Sequence, residues 1–411
     1  MSTFTAIKGF KDILPDEAPL WQHIEKIARD VARRYNFQEL RPPIAEKTEI
    51  FARGIGQGTD IVEKEMYAFT DKGNEKITMR PEATAGLVRA VIEHHLANSG
   101  QIAKIFCLGP MFRYERPQKV RQRQFHQLDV EVFGDSGPSV DAELLALLTT
   151  FLGELGLGDL SINLNSLGCP QCRPVYRELL VAFFDKRQDD LCPDCHRRLN
   201  INPLRIIDCK NENCQKLIEG APTILDNLCG ECTDHFETLK KLLNALDLKY
   251  EINPNLVRGL DYYTRTAFEV ISGDLGAQSA VAGGGRYDGL ARQLGGGDIP
   301  GIGFAVGLER LVMLLKEKAP LEIAGPDYYM AILADEAFPT AFRLAENLRA
   351  QGKSVAADWQ SGSLKSRLKK ADKSGAAKVI MLGIDELAKK EALVRDLVSH
   401  EQTGLDISQF V

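Results

Sequence analysis

Within the segment FCLGPMFRYERPQKVRQRQFHQLDVEVFG, from Phe106 to Gly134, five cations fall in eleven positions: Arg113, Arg116, Lys119, Arg121 and Arg123. Cations at this density either face solvent or clamp a phosphate. Arg113 favours the clamp, because it interrupts an apolar and aromatic run, and a guanidinium taken out of water needs an anion beside it. Beyond the basic stretch, Phe125, Gln127, Asp129, Glu131 and Phe133 alternate onto one face, so polar groups stand where a half-buried strand should present apolar ones. Four further runs carry the same sort of chemistry. LVRGLDYYTRTAFEV (Leu256 to Val270) sets Arg258, Tyr262 and Tyr263 among apolar strand residues, AGGGRYDGL (Ala282 to Leu290) joins three glycines to Arg286, Tyr287 and Asp288, and RPEAT puts Glu82 at a helix start. The last run, GIGFAVGLERLVMLL (Gly301 to Leu315), strips side chains from a strand so that a flat ligand can approach. It also places Arg310 in the first turns of a helix, where a cation is unfavourable unless an anion sits there.

These residues require a scaffold. The basic segment reads as a hairpin, with strands Ile105–Tyr114 and Phe125–Phe133 and a loop at Glu115–Gln124. Ahead of it, helical spacing of apolar residues from Leu20 to Tyr35 is followed by a strand from Phe37 to Ile44 that prolines end. GIGQGTD (Gly54 to Asp60) lacks the lysine of a nucleotide loop and reads as a flexible connection. A strand from Ile77 passes through Pro81 into a helix beginning near Ala83, a helix spans Asp141 to Leu155, and a strand spans Leu160 to Leu164. Residues 168–237 differ in composition and read as a small inserted domain, after which a helix from His235 to Leu246 resumes the ordinary pattern. Past Gly325-Pro326, strand, helix, strand, helix and strand alternate (Tyr328–Leu333, Pro339–Gln351, Ser354–Ala357, Leu364–Ser374, Lys378–Leu382), the pattern of a separate parallel α/β domain.

Composition narrows the function classes. A chain of 411 residues with 44% hydrophobic and 26% charged residues has ample core for two or three domains. There is no apolar run of membrane-spanning length and no secretory pattern at the start, so a cytoplasmic protein is expected. The net charge of −6 argues against wholesale electrostatic binding of nucleic acid and leaves local basic patches to do it. One such patch is Lys365, Arg367, Lys369, Lys370, Lys373 and Lys378, where the alternative is a solvated helix face.

The arrangement of Phe112-Arg113-Tyr114-Glu115, a basic loop and Arg123-Gln124-Phe125-His126-Gln127 resembles motif 2 of the class II aminoacyl-tRNA synthetases, in the form carried by the histidyl-tRNA synthetase family. The Arg258 run and the GGGRYD run resemble that family's two signatures, the Gly301 run its motif 3, and the helix and proline-ended strand at the start its motif 1, which serves dimerisation. The resemblance covers essentially the whole chain. It implies an α/β fold with an α+β catalytic domain (residues 1–325), built as a class II antiparallel sheet flanked by helices and interrupted by the insertion, and a C-terminal anticodon-binding domain (residues 326–411). The implied activity joins L-histidine to the α-phosphate of ATP with Mg²⁺, releases pyrophosphate and passes histidine to the 3′ end of tRNA(His), in a homodimer. Residue by residue, Arg113 and Arg258 would flank the α-phosphate, with Arg258 the transition-state cation. Arg121 and Arg310 would hold the γ end, and Phe125 would stack on adenine. Glu82, Ala83, Thr84 and Gln127 would take the amino end of histidine, while Glu131, Tyr262, Tyr263 and Tyr287 would line its imidazole pocket. Lys365, Arg367, Lys369, Lys370 and Lys373 would face tRNA. The competing readings are a non-catalytic regulatory subunit of the same fold and a bare RNA-binding or sensing module.

Eight of the nine cysteines fall between Cys169 and Cys232. Cys169/Cys172, Cys192/Cys195 and Cys229/Cys232 have zinc-knuckle spacing, and Cys209/Cys214 completes four pairs. Nesting groups Cys192, Cys195, Cys209 and Cys214 around one structural zinc and the outer two pairs around another; buried thiols held by packing are the alternative. The family resemblance requires no zinc, so metal removal is expected to reduce tRNA charging and to spare amino-acid activation.

Overall fold

The computed structural model describes residues 4–56, 59, 61–97, 100–117, 121–272, 280–318, 320 and 324–410. It divides into two compact units, Met1–Leu321 and Glu322–Val411.

In the first unit, helix α1 (Ala18–Arg34) opens with a proline in its first turn and closes with Arg33 and Arg34, which suit the negative end of the helix dipole. Strand β1 (Gln38–Glu39) is far shorter than its apolar run predicts. It pairs in parallel only at Gln38 and Glu39, because Pro42 and Pro43 have no amide hydrogen to extend the ladder. Next come β2 (Ala45–Lys47), α2 (Thr48–Ile55), β3 (Tyr67–Thr70), β4 (Lys76–Met79), α3 (Thr84–Glu93), β5 (Ala103–Phe112), β6 (Gln124–Phe133), α4 (Pro138–Glu154) and β7 (Ser161–Ser166). The reading of Gly54 to Asp60 as one flexible connection is corrected in part. Gly54 and Ile55 close α2, and a Cβ on Gly54 would come within 3.3 Å of Leu290, so that glycine serves close helix packing. Gln57, Gly58 and Asp60 lie outside the described residues, as does Lys119 of the hairpin loop.

The insertion contributes α5 (Cys172–Asp185), α6 (Pro193–Ile201), α7 (Glu212–Ile218) and α8 (Gly230–Ala245). Its last helix starts earlier than composition indicates. The first half of α8 carries Cys232 into the insertion's own small core, and its second half carries Phe236, Leu239 and Leu243 into the main core. The chain returns through β8 (Glu251–Ile252), β9 (Thr264–Ile271), β10 (Ala280–Arg286), α9 (Leu290–Gln293), β11 (Gly301–Gly307) and α10 (Leu308–Lys318). Two expected strand placements shift. Arg113 lies just past the end of β5, and Arg258 lies in the loop between β8 and β9.

Eight strands form the main sheet in the order β1-β5-β6-β11-β10-β9-β7-β8, antiparallel except at its two outermost pairs. One face is covered by α1, α4, α8 and α10, whose apolar stripes bury Ile24, Leu144, Leu239 and Leu311 against Leu128, Val130 and Val132 of β6. The alternate β6 residues Gln127, Asp129 and Glu131 therefore point to the opposite face, as their spacing predicts. On that face α3 packs with Tyr262, Tyr263 and Tyr287.

The second unit is a five-stranded sheet in the order β13-β12-β14-β15-β16. Strands β12 (Tyr328–Ile332), β13 (Val355–Ala357) and β14 (Lys378–Leu382) are parallel, with α11 (Phe338–Ala350) and α12 (Leu364–Ser374) as crossovers. The all-parallel expectation is corrected by β15 (Glu391–Asp396) and β16 (Gln402–Asp406), which run antiparallel. Only the short helix α13 (Ile384–Lys389) joins β14 to β15, and residues 397–401 join β15 to β16. Neither connection is long enough for a parallel crossover.

Candidate active site

A cavity of about 900 Å³ opens on the polar face of the main sheet. Its floor is β6, which presents Gln127, Asp129 and Glu131 at successive alternate positions. Opposite each other across the β6–β11 ladder stand Glu131 and Gly303, and a Cβ on Gly303 would lie 1.3 Å from Glu131 Oε2. The same device recurs twice. A Cβ at Gly301 would strike the Tyr287 ring at 2.4 Å, and one at Gly283 would strike the Arg258 guanidinium at 2.5 Å. At these positions the glycines make room for protein side chains that face the cavity, while Gly307, which also lines it, has no atom closer than 3.8 Å to where a Cβ would stand.

Glu131 is 1% exposed, with Oε1 accepting a hydrogen bond of 2.7 Å from Thr84 Oγ1 and Oε2 accepting one from the Tyr287 hydroxyl. Tyr287 in turn meets Tyr262 edge-on at 5.5 Å, and Tyr262 leans on Tyr263 at 4.6 Å. Glu82 does both things its position allows. Its Oε1 accepts from the Ala85 amide at 2.9 Å and caps α3, while its Oε2 has no partner among the described residues. Ala83 packs into the core at the start of α3 and is not part of the cavity wall. Burial lifts the Glu82 carboxyl above its ordinary range, and it lifts Asp129 and Glu131 well above theirs, with Glu82 adding repulsion at Asp129. Three crowded acids on one wall call for a cation.

The other wall is cationic. Arg113 Nε donates to the Pro81 carbonyl at 2.8 Å, and its guanidinium lies 5.2 Å from the centre of the Phe125 ring. Arg121 reaches Glu115 at 3.1 Å and keeps half of its side chain exposed. Arg310 donates to the Ala280 carbonyl, and burial, then repulsion from Arg121, pulls its pKa below the usual value. Arg258 Nη1 pairs with Glu269 at 2.9 Å over the face of Tyr263. Arg123 turns away to stack on Tyr114 at 3.8 Å, and Arg116 is exposed. The loop cations thus divide, with Arg113 and Arg121 on the cavity wall.

Four polar atoms of the cavity lining, Glu82 Oε2, Gln127 Oε1, Asp129 Oδ2 and Arg258 Nε, are buried and have no hydrogen-bond partner among the described residues. Such atoms are costly to leave unpaired and mark where a ligand belongs. Acceptors gather at one end and guanidiniums at the other. The arrangement can hold a zwitterionic amino acid by its ammonium and a polyphosphate by its charge.

Sequence reasoning passed over three participants. Asp129 belonged to the polar row but was given no role, although its burial matches that of Glu131. Glu269 is the counterion of Arg258, and its position among Ala267, Phe268, Val270 and Ile271 was the available signal. Glu309, the neighbour of Arg310, accepts from the His126 amide at 2.9 Å and meets its ring at 3.0 Å, so it ties α10 to β6. In the second unit Arg367, expected to face RNA, is 3% exposed and bonded to Asp358 and the Ser361 carbonyl. Lys365, Lys369, Lys370 and Lys373 are exposed, with Lys370 also reaching Asp358.

The cysteines assemble in two groups, Cys169, Cys172, Cys229 and Cys232 in one and Cys192, Cys195, Cys209 and Cys214 in the other. Within each group the ligand atoms lie within 4.8 Å of one another.

Comparison with known proteins identifies the family. Residues 9–311 match the family model described as histidyl-tRNA synthetase, and residues 311–411 match that of an anticodon binding domain. The chain is 52% identical over 398 residues to the histidine–tRNA ligase of Desulfotalea psychrophila, covering 96% of this chain and 92% of that one. It is 52% identical over 403 residues to that of Geobacter sulfurreducens, covering 98% and 96%. The crystal structure of apo S. aureus histidyl-tRNA synthetase superposes with a TM-score of 0.83 at 35% identity, covering 99% of this chain and 100% of that one. The chain is therefore a member of the histidyl-tRNA synthetase family.

Proposed function

We propose that the cavity performs the first half-reaction of an ATP-dependent histidine–tRNA ligase, with the residues of its two walls dividing the labour. The carboxylates of Glu82 and Asp129 and the amide oxygen of Gln127 take the α-ammonium of histidine. Glu131, held by Thr84 and Tyr287, accepts an imidazole N–H beside Tyr262 and Tyr263. An apolar amino acid would leave these buried acceptors unpaired, which is a strong basis for rejection. Histidine's carboxylate then attacks the α-phosphorus of ATP, a bond forms from carboxylate oxygen to phosphorus, and pyrophosphate departs. Arg113 and Arg258 stabilise the charge that builds on the α-phosphate, Arg121 and Arg310 hold the outgoing end, and Phe125 stacks on adenine. Glu115 and Glu269 are the cavity carboxylates that would hold Mg²⁺ brought with ATP, which would supply neutralisation of phosphate charge. Transfer of the histidyl group to tRNA(His) follows.

The observation that carries this reading is the set of four buried unpartnered atoms on the cavity wall. Its test is histidine-dependent exchange of pyrophosphate into ATP. Exchange that ignores histidine, or responds equally to other amino acids, would refute it.

We further propose that Lys365, Lys369, Lys370 and Lys373 contact tRNA, and that each cysteine group holds a structural zinc. We also propose a homodimer, which the resemblance to the family implies. The apolar stripe of α1 is occupied within its own chain, so a second subunit would use other surfaces. No helix among the described residues is long and apolar enough to cross a membrane, and we place the enzyme in the cytoplasm with its tRNA.

A further inference from the structure

The inner and outer cysteine groups have the dimensions of tetrahedral metal sites. Sulfur–sulfur distances of 3.7 Å (Cys169 to Cys172), 3.8 Å (Cys169 to Cys229) and 3.8 Å (Cys192 to Cys209) match the edge of about 3.8 Å that four thiolates make around zinc at about 2.3 Å. Backbone amides already point at the sulfurs, from Cys229 to Cys172 Sγ at 3.1 Å and from Cys192 to Cys214 Sγ at 3.3 Å. Such donors spread thiolate charge around a bound cation. The core of the insertion is small, and a segment of this size gains most of its rigidity from metal when it holds one.

What the two groups flank is the loop that delivers Arg258, Tyr262 and Tyr263 to the cavity. Between Cys195 and Cys209, on the span that a metal would close, Arg205 Nη1 donates to the Gly259 carbonyl at 2.9 Å and Asn202 Nδ2 donates to Asp261 Oδ1 at 3.1 Å. Beside Cys172 in the outer group, Arg173 donates to the Tyr263 carbonyl. Each cysteine group thus grips one part of the same loop, and Cys209 and Lys210 themselves form part of the cavity wall.

We propose that the two zinc ions position the loop of residues 258–263 for adenylate formation, so that amino-acid activation itself depends on metal. This reverses the expectation, drawn from family resemblance, that activation is indifferent to zinc. It rests on the assignment of the cavity to histidine activation. Arg205, Asn202 and Arg173 act as positioning residues, since they hold the loop by its backbone and by Asp261 and act through the groups it carries.

The test uses the full chain purified without chelator. Elemental analysis should find about two zinc ions per chain, and fewer than about 0.2 would overturn the metal sites. The double substitution Cys209→Ser with Cys214→Ser should lose one ion, raise deuterium uptake in residues 256–263 and lower histidine-dependent pyrophosphate exchange at least about tenfold. Arg205→Ala should retain both ions yet lower kcat for exchange several-fold with smaller changes in KM for ATP, and Arg205→Lys should recover part of the loss. A one-ion variant that exchanges at the native rate, with the loop as protected as before, would overturn the positioning role while leaving the metal sites standing. Native protein without histidine-dependent exchange would instead overturn the activity assignment. Deuterium uptake would then decide alone whether zinc orders the loop.

Discussion

Substituting Gly303 by alanine isolates the histidine pocket from the phosphate clamp, because the added methyl group falls on one carboxylate. The new Cβ would lie 1.3 Å from Glu131 Oε2, 2.2 Å from its Cδ and 2.7 Å from the Val130 carbonyl oxygen. The strand cannot retreat, since Gly303 is paired to Glu131 on one side and to Gly285 on the other. The carboxylate must therefore swing out, leaving the hydroxyls of Thr84 and Tyr287 without their acceptor. Each buried hydroxyl left unsatisfied costs about 1–3 kcal/mol, and forcing a methyl group into filled space costs about 1–3 kcal/mol more. Partial relaxation should hold the total near about 3–5 kcal/mol, a drop of several degrees in Tm. For catalysis, losing one hydrogen bond to imidazole at about 1.5–3 kcal/mol raises the KM for histidine by about 10- to 100-fold. The KM for ATP should move less than about threefold, since the arginines are untouched. Gly307→Ala is the control for stability: its Cβ would meet Arg310 no closer than 3.8 Å and should not lower Tm. Calorimetry and pyrophosphate exchange read both quantities. A Gly303→Ala protein with native Tm and native histidine KM would refute the claim that this glycine exists to admit Glu131.

Other outcomes follow from the same geometry. Arg258→Ala should leave histidine and ATP binding within about tenfold while lowering the adenylation rate about a hundredfold or more; near-normal exchange would remove Arg258 from the transition state. Acidity gives a signed expectation. Because burial holds the carboxyls of Glu82, Asp129 and Glu131 above their unfolded values, the contribution of these three groups to stability is greatest near or below the ordinary carboxylate range and is lost as pH climbs from there toward the raised folded values. The ammonium of histidine favours the ionised acids, so binding should release protons in that window, and Asp129→Asn should release fewer. Calorimetry in buffers of different ionisation enthalpy measures this, and equal release by the two proteins would contradict it. In the second unit, Arg367→Ala should destabilise by about 1–3 kcal/mol because it removes the buried guanidinium that ties Asp358 to the Ser361 carbonyl, while Lys370 still pairs with Asp358. Replacing Lys365, Lys369 and Lys373 by alanine should instead spare Tm and exchange and weaken tRNA charging, with a shallower salt dependence; unchanged charging at physiological salt would make those lysines a solvated face.

How much of this was readable beforehand depended on whether the cause was local. The β6 row of Gln127, Asp129 and Glu131 declared itself through a period of two, since alternation is a property of neighbouring residues. The two cysteine groups followed from spacing and nesting. Arg258 was legible as a charge needing a partner, but its place in a loop and its pairing with Glu269 were not, because these depend on how β9 meets the turn before it. The proline-rich end of the first strand was overextended for want of weighing two missing amides. Arg367 was misplaced although the signal existed. Leu368 and Ala371 mark the inward stripe of α12, and Arg367 stands beside that stripe, one turn from Ala371. The antiparallel strands at the end of the chain were legible in principle from connections too short to cross over.

One buried charge has a consequence for the order in which the chain folds. Arg286 of β10 is fully buried and bonded to Asp141 of α4, which also binds His235 of α8 and Thr266 of β9, across sequence separations of 145, 94 and 125 residues. A sheet that closed around β10 before α4 arrived would enclose a guanidinium paired with Asp288 alone and without the Asp141 carboxylate that takes most of its donors, at a cost of a few kcal/mol. Early local collapse of the β9–β10 pair is therefore discouraged, and contacts remote in sequence must consolidate together, which slows folding. We expect α4, α8 and β10 to gain amide protection in one kinetic phase during refolding; separate phases in pulse-labelled exchange would show otherwise. The insertion lies between Asp141 and Thr266 in the chain, so its own maturation is set inside that closing step, and a delay in ordering its cysteines would hold back the central sheet as well.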